Sequence, residues 1–230
     1  MKYLKKFNEN DSSDLKERIR ATERLLDSLG HYKDDDGYWH VGEDLKLPNY
    51  SSYNGELVVK FWEVRGIFDV SNLSLETLKG SPKKSKYVIF VGNNLKNLEY
   101  SPEYVEKSFS CRSCGLESIE GHPKEIGGYL DIGGNNIKDL TSFGNINCDV
   151  IHIYNNPIHY IVESWINIKA ERWELINYFN DMNIIQDTFL EKPKLILPRL
   201  KAFFEDCDLK DHTNNAFFKK RLKNYYTIIE

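Results

Sequence analysis

Apolar positions in the middle of the chain recur in sets of four. Phe68, Val70, Leu75 and Leu78 are followed by Val88, Phe90, Leu95 and Leu98, and then by Phe109, Cys111, Leu116 and Ile119. Leu130, Ile132, Ile137 and Leu140 come next, and Ile151, Ile153, Ile158 and Ile161 close the series. The third members fall at 75, 95, 116, 137 and 158, with spacings of 20, 21, 21 and 21. A period in this range predicts a solenoid with one short strand per turn. Within each set the first two apolar residues lie two positions apart, as on a strand with one face buried. A fixed slot between the second and third members holds Leu73, Asn93, Cys114, Asn135 and Asn156. An inward Asn there can hydrogen-bond backbone groups of its own and the adjacent turn, and Leu73 and Cys114 should weaken that ladder locally. Gly80-Ser81-Pro82, Ser101-Pro102 and Gly121-His122-Pro123 then break any helix. Gly66 and Gly128 lie just ahead of strands. No return segment is long enough for a helix, so the backs of the turns should be irregular or 3₁₀-like.

The flanks read differently. Residues 1–11 are charged and polar apart from Tyr3, Leu4 and Phe7, and read as partly loose. Ser12 or Ser13 is placed as an N-cap, with Glu17 near the capping-box position. Leu15, Ile19, Leu25, Leu26 and Leu29 share one helical face and Gly30 ends it. Such a helix should cover the open end of a solenoid. Lys33-Asp34-Asp35-Asp36-Gly37 reads as a hairpin turn. The later ligands of a calcium loop are missing. Leu45 and Leu47 have the spacing of a degenerate first rung, and residues 49–55 read as an inserted loop. Its two tyrosines make it a candidate contact loop, and a disordered or self-packed loop explains it equally well. Beyond Pro157 the period stops. An amphipathic helix anchored by Trp165, Ile168, Leu175, Ile176 and Phe179 should follow, then helical stretches at 194–204, with Pro198 placed awkwardly inside it or at its first turn, and at 214–226. The expected fold class is therefore α+β, a solenoid of short parallel strands with turns of about 21 residues. Residues 1–56 are assigned to an N-terminal helix and hairpin cap, 57–161 to the solenoid and 162–230 to a helical C-terminal cap.

The repeated unit is the leucine-rich-repeat pattern. The wording Leu-Glu-Ser-Ile-Glu-Gly-His-Pro-Lys-Glu-Ile-Gly-Gly-Tyr-Leu at 116–130 resembles the leucine-rich-repeat proteins of tailed bacteriophages. Their units read roughly L-x-S-L-E-G-x-P-K-x-V-x-G-x-F-x-C. The opening Met1-Lys2-Tyr3-Leu4-Lys5-Lys6-Phe7-Asn8-Glu9 and the stretch 196–205 are also similar to such proteins. The likeness extends over nearly the whole chain, rests mainly on the repeats, and is thinnest in the first two turns. It carries no catalytic residue. It implies a viral protein acting in the cytoplasm of an infected host cell, with a host protein as the natural target and inhibition of a host defence system as a plausible purpose.

Composition narrows the chemistry. The 230 residues carry a net charge of -4, with 31 Lys and Arg interleaved among 35 Asp and Glu. That argues against a general affinity for nucleic acid and against a one-sign field that would mimic DNA. No apolar run has the length of a membrane span and the first residues lack an apolar leader core. Cys111-x-x-Cys114 lacks a second ligand pair at metal-site spacing, and the repeat register accounts for both residues, one in a strand slot and one in the Asn slot. No metal or cofactor is expected. No nucleophile elbow, phosphate-cradling glycine loop or HExxH motif occurs, and Gly127-Gly128 and Gly133-Gly134 are explained by tight turns and strand crowding.

The strand register also names a surface. Between the buried positions, Ile67, Asp69, Ser71, Tyr87, Ile89, Val91, Ser108, Ser110, Arg112, Tyr129, Asp131, Gly133, Val150, His152 and Tyr154 should point outward, side by side on the inner, concave face. Tyr87, Ile89 and Val91 are apolar where a merely solvated face would carry charge, and Tyr129, His152 and Tyr154 add an amphipathic patch. Ordinary β-formers on strands are the competing explanation. Tyr87, Ile89, Val91, Arg112, Tyr129, Asp131, His152 and Tyr154 are the candidate partner-binding residues. His152 one row from Asp131 could form an acid–base pair, though a surface pair accounts for them as well. The function expected from this pattern is non-enzymatic binding of a protein, with self-association in a viral assembly as the alternative.

Overall fold

The computed structural model describes residues 2–144, 146–167, 172–186 and 192–230, with side chains from residue 13 onward. Helix α1 (Lys2–Ser28) precedes strands β1 (Tyr32–Lys33), β2 (Tyr38–Val41), β3 (Leu45–Lys46), β4 (Ser52–Tyr53), β5 (Glu56–Leu57) and β6 (Lys60–Asp69). Strands β7 (Lys84–Ile89), β8 (Tyr104–Ser110), β9 (Glu125–Ile126), β10 (Tyr129–Asp131) and β11 (Val150–His152) follow. The chain ends with α2 (His159–Val162), α3 (Arg172–Asp181), β12 (Ile185–Gln186), β13 (Lys194–Ile196), α4 (Leu197–Asp206), α5 (Ala216–Leu222) and β14 (Thr227–Ile229).

Parallel pairing sets Phe68 beside Val88, Val88 beside Phe109, Phe109 beside Leu130 and Leu130 beside Ile151. These are the first members of the repeated sets, and the fold is a β-solenoid of about five turns. The third members, Leu75, Leu95, Leu116, Ile137 and Ile158, are all buried. Hydrogen bonds join their turns, Asn94 N–H to Leu75 O at 2.8 Å, Asn136 N–H to Leu116 O at 2.8 Å and Ile158 N–H to Ile137 O at 3.0 Å. The anticipated column therefore lines up. Leu45 pairs with Phe68, so the degenerate first rung is present. Phe61, Phe68, Phe90 and Phe109 pack ring on ring at 5.2, 6.1 and 5.5 Å, an aromatic run through the first turns of the core.

The Asn slot works as the sequence suggests. Asn93 Oδ1 accepts from the N–H of Leu73 and of Leu75, and its Nδ2 donates to Val70 O and Phe90 O. Asn135 repeats this toward Cys114, Leu116, Cys111 and Ile132, and Asn156 toward Ile137, Ile132 and Ile153. Each amide thus ties two turns through buried backbone groups. Cys114 keeps one such contact, its thiol donating to Phe90 O at 3.0 Å, so the ladder is thinner there. One position earlier the backbone is left-handed in all five turns, at Asn72, Gly92, Ser113, Gly134 and Asn155. Asn and Gly enter that region most easily, which explains four of the five choices.

A second left-handed slot holds Gly80, Tyr100 and Gly121, with φ of 89°, 66° and 82°. A bulky side chain in this region is strained. Tyr100→Gly is expected to raise stability by about 0.5–1 kcal/mol, the relieved strain exceeding the extra freedom of the unfolded chain. Thermal unfolding of the two proteins measures it, and a lower midpoint in the variant would show that the ring contributes more than its backbone strain takes away.

Several expectations need correction. The backs of the turns are not all irregular. A second parallel arm pairs Glu63, Lys84, Tyr104 and Glu125, and beside them Val64, Ser85, Val105 and Ile126, the latter four buried. Register shifts between Val64 and Ile67 and between Ser85 and Tyr87 make the corner between the two arms. Backbones of adjacent turns crowd there: a Cβ on Gly128 would lie 2.6 Å from Lys107 O. Helix α1 begins at Lys2, not at Ser12 or Ser13, since nothing between them breaks a helix. It does stop at Gly30 (φ 77°), where His31 N–H reaches Leu26 O at 3.1 Å. Leu26 and Thr22 are buried, whereas Leu29, expected on the same face, is exposed. The Asp-rich turn joins β1 and β2 as an antiparallel hairpin. The stretch read as an inserted loop holds a 3₁₀ turn (Asn49–Ser51) and the small antiparallel pair β4–β5 around Asn54-Gly55, with Ser51 bonded to Thr22 at 3.2 Å.

The C-terminal region also differs. The helix read through Trp165 to Phe179 is not continuous: residues 163–167 are turns after α2, α3 begins at Arg172, and Ile168 lies outside the described residues. Trp165, Leu175, Ile176 and Phe179 are buried. Helix α4 starts only at Leu197, with Pro198 in its first turn, because Lys194–Ile196 is strand. Helix α5 is shorter than expected and is capped by Asn215, whose Oδ1 accepts from the N–H of Phe217 and of Phe218. Strands β12, β13 and β14 form a three-stranded sheet that hydrophobic periodicity did not indicate, each strand being only two or three residues long. Tyr226 is buried and donates to Lys138 O at 2.6 Å, tying this region back to the solenoid.

Candidate functional site

The outward positions of the first-arm strands form three lateral rows. Pairing sets Ile67 beside Tyr87 and Tyr87 beside Ser108, and Tyr129 beside Val150. The next row runs Asp69, Ile89, Ser110, Asp131 and His152. Backbone bonds from Asn72 to Val91, Gly92 to Arg112, Ser113 to Gly133 and Gly134 to Tyr154 carry the third row past the strand ends. All eight candidate residues therefore share one face.

Side-chain sizes shape that face. Ser108 and Ser110 are small and lie between Tyr87, Ile89 and Val91 on one side and Tyr129 and Asp131 on the other. A hollow of ≈ 270 Å³ results, lined also by Ile67 and Arg112. Tyr87, Ile89 and Val91 are half-buried, and Tyr129 is exposed with its ring edge-on to His152 at 5.4 Å.

The charges are arranged unequally. Asp131 is only 9% exposed. It accepts from the N–H of Gly133 at 3.1 Å and the hydroxyl of Tyr154 at 3.4 Å. Gly133 makes room for Tyr154, whose ring occupies the space a Cβ would take. Burial, then the nearby Asp131 charge, pushes the Tyr154 hydroxyl above its ordinary range. Arg112 places Nε 3.8 Å from Asp131 Oδ2 and its guanidinium 5.4 Å above the Tyr154 ring. Asp69 is held by the N–H and hydroxyl of Ser71 and by Lys46 at 3.2 Å. Burial opposes its ionisation, but these partners outweigh it and its carboxyl titrates below the ordinary range. Among the described residues no hydrogen bond or ion pair joins Asp131 to His152, so the geometry does not assemble the acid–base pair weighed from sequence.

Cys111 and Cys114 are both free and buried. Desolvation pushes the Cys111 thiol well up, and its hydrogen bond to Cys114 draws that thiol down. Neither reaches solvent. Among the described residues no group of three or more His, Cys, Asp or Glu is placed to hold a metal ion. Among the same residues no helix is long and apolar enough to cross a membrane.

Other exposed features lie outside the face. A larger hollow of ≈ 420 Å³ is bounded by Leu29–Tyr32, His40–Glu43, Glu63 and Arg65. Arg65 pairs with Glu63 at 3.2 Å and His40 with Asp34 at 2.9 Å, so these two basic groups are already engaged, which makes it a poorer site for an acidic partner than the rung hollow. Trp62 is exposed on the second arm, edge-on to Tyr38 at 5.8 Å, beside a ladder in which Glu103 pairs with Lys83 at 3.6 Å and Lys124 at 2.9 Å. The sequence reading missed this arm. Its signal was the column 64, 85, 105 and 126, one inward residue per turn.

No family model, curated protein or solved structure matches the chain.

Proposed function

We propose that the chain is a leucine-rich-repeat protein of the bacteriophage type that acts by binding another protein through the outward face of its strands. In this reading the target is a host protein, the purpose is to block it within a defence system, and the chain performs no chemistry of its own. The wording of residues 116–130 and the spacing of the turns support the family assignment. The observation that carries the binding reading is the hollow on the rung face. It sets half-buried Tyr87, Ile89 and Val91 next to Arg112 and Tyr129 in a hollow lined by residues of adjacent strands and the turns just past them. A patch that joins apolar area to a few polar groups is what a protein interface requires.

The test is capture from a host lysate with mass-spectrometric identification, using the wild type and the double variant Tyr87→Asp, Tyr129→Asp. The variant is expected to lose capture while its circular dichroism and thermal midpoint stay unchanged, since both rings are at least partly exposed. Wild-type capture by the variant would place the interface elsewhere. Gel filtration separates the alternative: a symmetric oligomer that the same variant dissolves would point to self-association.

A further inference from the structure

Resting on the reading of this face as protein-binding, we infer that the partner presents an extended segment in which an acidic side chain lies next to an aliphatic or aromatic one. The hollow sets its direction. Ser108 and Ser110 belong to one strand, so the notch they leave runs along that strand, between the apolar ridge of Tyr87, Ile89 and Val91 and the ridge of Tyr129 and Asp131. A strand-like segment fits a notch of this direction, with an apolar side chain against the Tyr87 side.

The charge preference follows from which groups are already satisfied. Asp131 is buried and holds Gly133 N–H and the Tyr154 hydroxyl, and Asp69 holds Ser71 and Lys46. A cationic partner would find both carboxylates engaged. Arg112 is the reverse. Its Nε side faces Asp131 and its plane rests over Tyr154, which fix its direction, while its terminal nitrogens donate to no acceptor among the described residues. The side chain is half exposed, at 52%. A guanidinium held at one end and open at its fork suits the two parallel bonds of a carboxylate. A phosphate would satisfy the same fork, but Asp69 and Asp131 on this face repel a polyanion, whereas a single acid beside an apolar group is tolerated.

The test selects a random peptide library displayed on yeast against the full chain, then measures the recovered peptides on Arg112→Glu, Arg112→Gln and Tyr87→Asp. Recovered peptides are expected to carry Asp or Glu beside an apolar residue. They should weaken by about tenfold or more on Arg112→Gln, which keeps the stem and loses the fork. Selection on Arg112→Glu should recover peptides with Lys or Arg in place of the acid. Peptides that weaken on Tyr87→Asp but bind both Arg112 variants as well as the wild type would overturn the acidic preference and leave the protein-binding reading standing. Peptides indifferent to all three variants, or none recovered, would overturn both.

Discussion

Asn135→Ala is expected to lower the unfolding free energy by about 3–5 kcal/mol, a large loss for one polar side chain. The amide is 4% exposed. Its Oδ1 accepts from Cys114 N at 2.9 Å and Leu116 N at 3.1 Å, and its Nδ2 donates to Cys111 O at 2.9 Å and Ile132 O at 2.8 Å. Alanine leaves two N–H groups and Cys111 O without partners, in a slot water reaches only by opening the turn, while Ile132 O keeps the bond from Asn156 Nδ2. The turn before it is already thin, because the Cys114 thiol reaches only one carbonyl of the neighbouring turn, Phe90 O, where an amide makes four backbone bonds. Coils in a solenoid interact with their neighbours, so a break here should also part the chain into halves that unfold separately. Urea titration should then show a lower midpoint, a lower slope and transitions that differ between probes of the two halves, such as Trp39 and Trp165. Asn94, exposed and with no side-chain hydrogen bond among the described residues, is the control; its alanine variant should change stability by less than about 0.5 kcal/mol. An unchanged midpoint for Asn135→Ala would mean the amide ladder does not hold the turns together.

The same ladder explains why the first arm was legible in the sequence. Inward positions of that arm are large and apolar in every turn, from Phe68 to Ile151, and the Asn slot recurs beside them, so period and chemistry point the same way. The second arm shows one buried residue per turn, and in one turn it is Ser85. Around it stand Lys84, Lys86, Glu106, Lys107 and Glu125, which read as loop. Ser85 is satisfied locally, its hydroxyl donating to Gly66 O and Tyr87 O, and no pattern in one sequence announces that. The outward face followed from alternation alone, because a strand that turns Phe68, Val88 and Phe109 inward must turn Ile67, Tyr87 and Ser108 outward. What alternation could not supply is depth. Asp131 was expected at the surface, and its burial depends on Tyr154 folding into the space left by Gly133, a contact between turns. The three-stranded sheet of β12, β13 and β14 was illegible for a similar reason: its strands are too short to carry a period.

Arg172→Met is expected to destabilise the protein by about 3 kcal/mol and to make it associate. Arg172 is 3% exposed, and its guanidinium donates to Ile166 O at 2.8 Å, Cys148 O at 2.9 Å and Asp149 O at 2.9 Å. It thus joins the approach to β11 to the segment that follows the last turn. Methionine keeps the apolar stem and avoids the desolvation of a buried cation, which offsets part of the loss, but the bonds to Ile166 O, Cys148 O and Asp149 O are lost. The second effect concerns the sheet edge. Among the described residues strand β11 pairs only with β10, and at its other side Asn167 Oδ1 accepts from Ile151 N while Nδ2 donates to Ile151 O. Arg172 and Asn167 hold the same few residues, so releasing one loosens the other and uncovers backbone that a second chain can pair with. Light scattering over a concentration series should show growth of the variant and none of the wild type. Arg172→Lys should recover little, because an ammonium on a flexible stem does not reproduce a planar fork bonded to three carbonyls. A variant of wild-type stability that stays the same size at every concentration would show that Arg172 neither secures the last turn nor guards its edge.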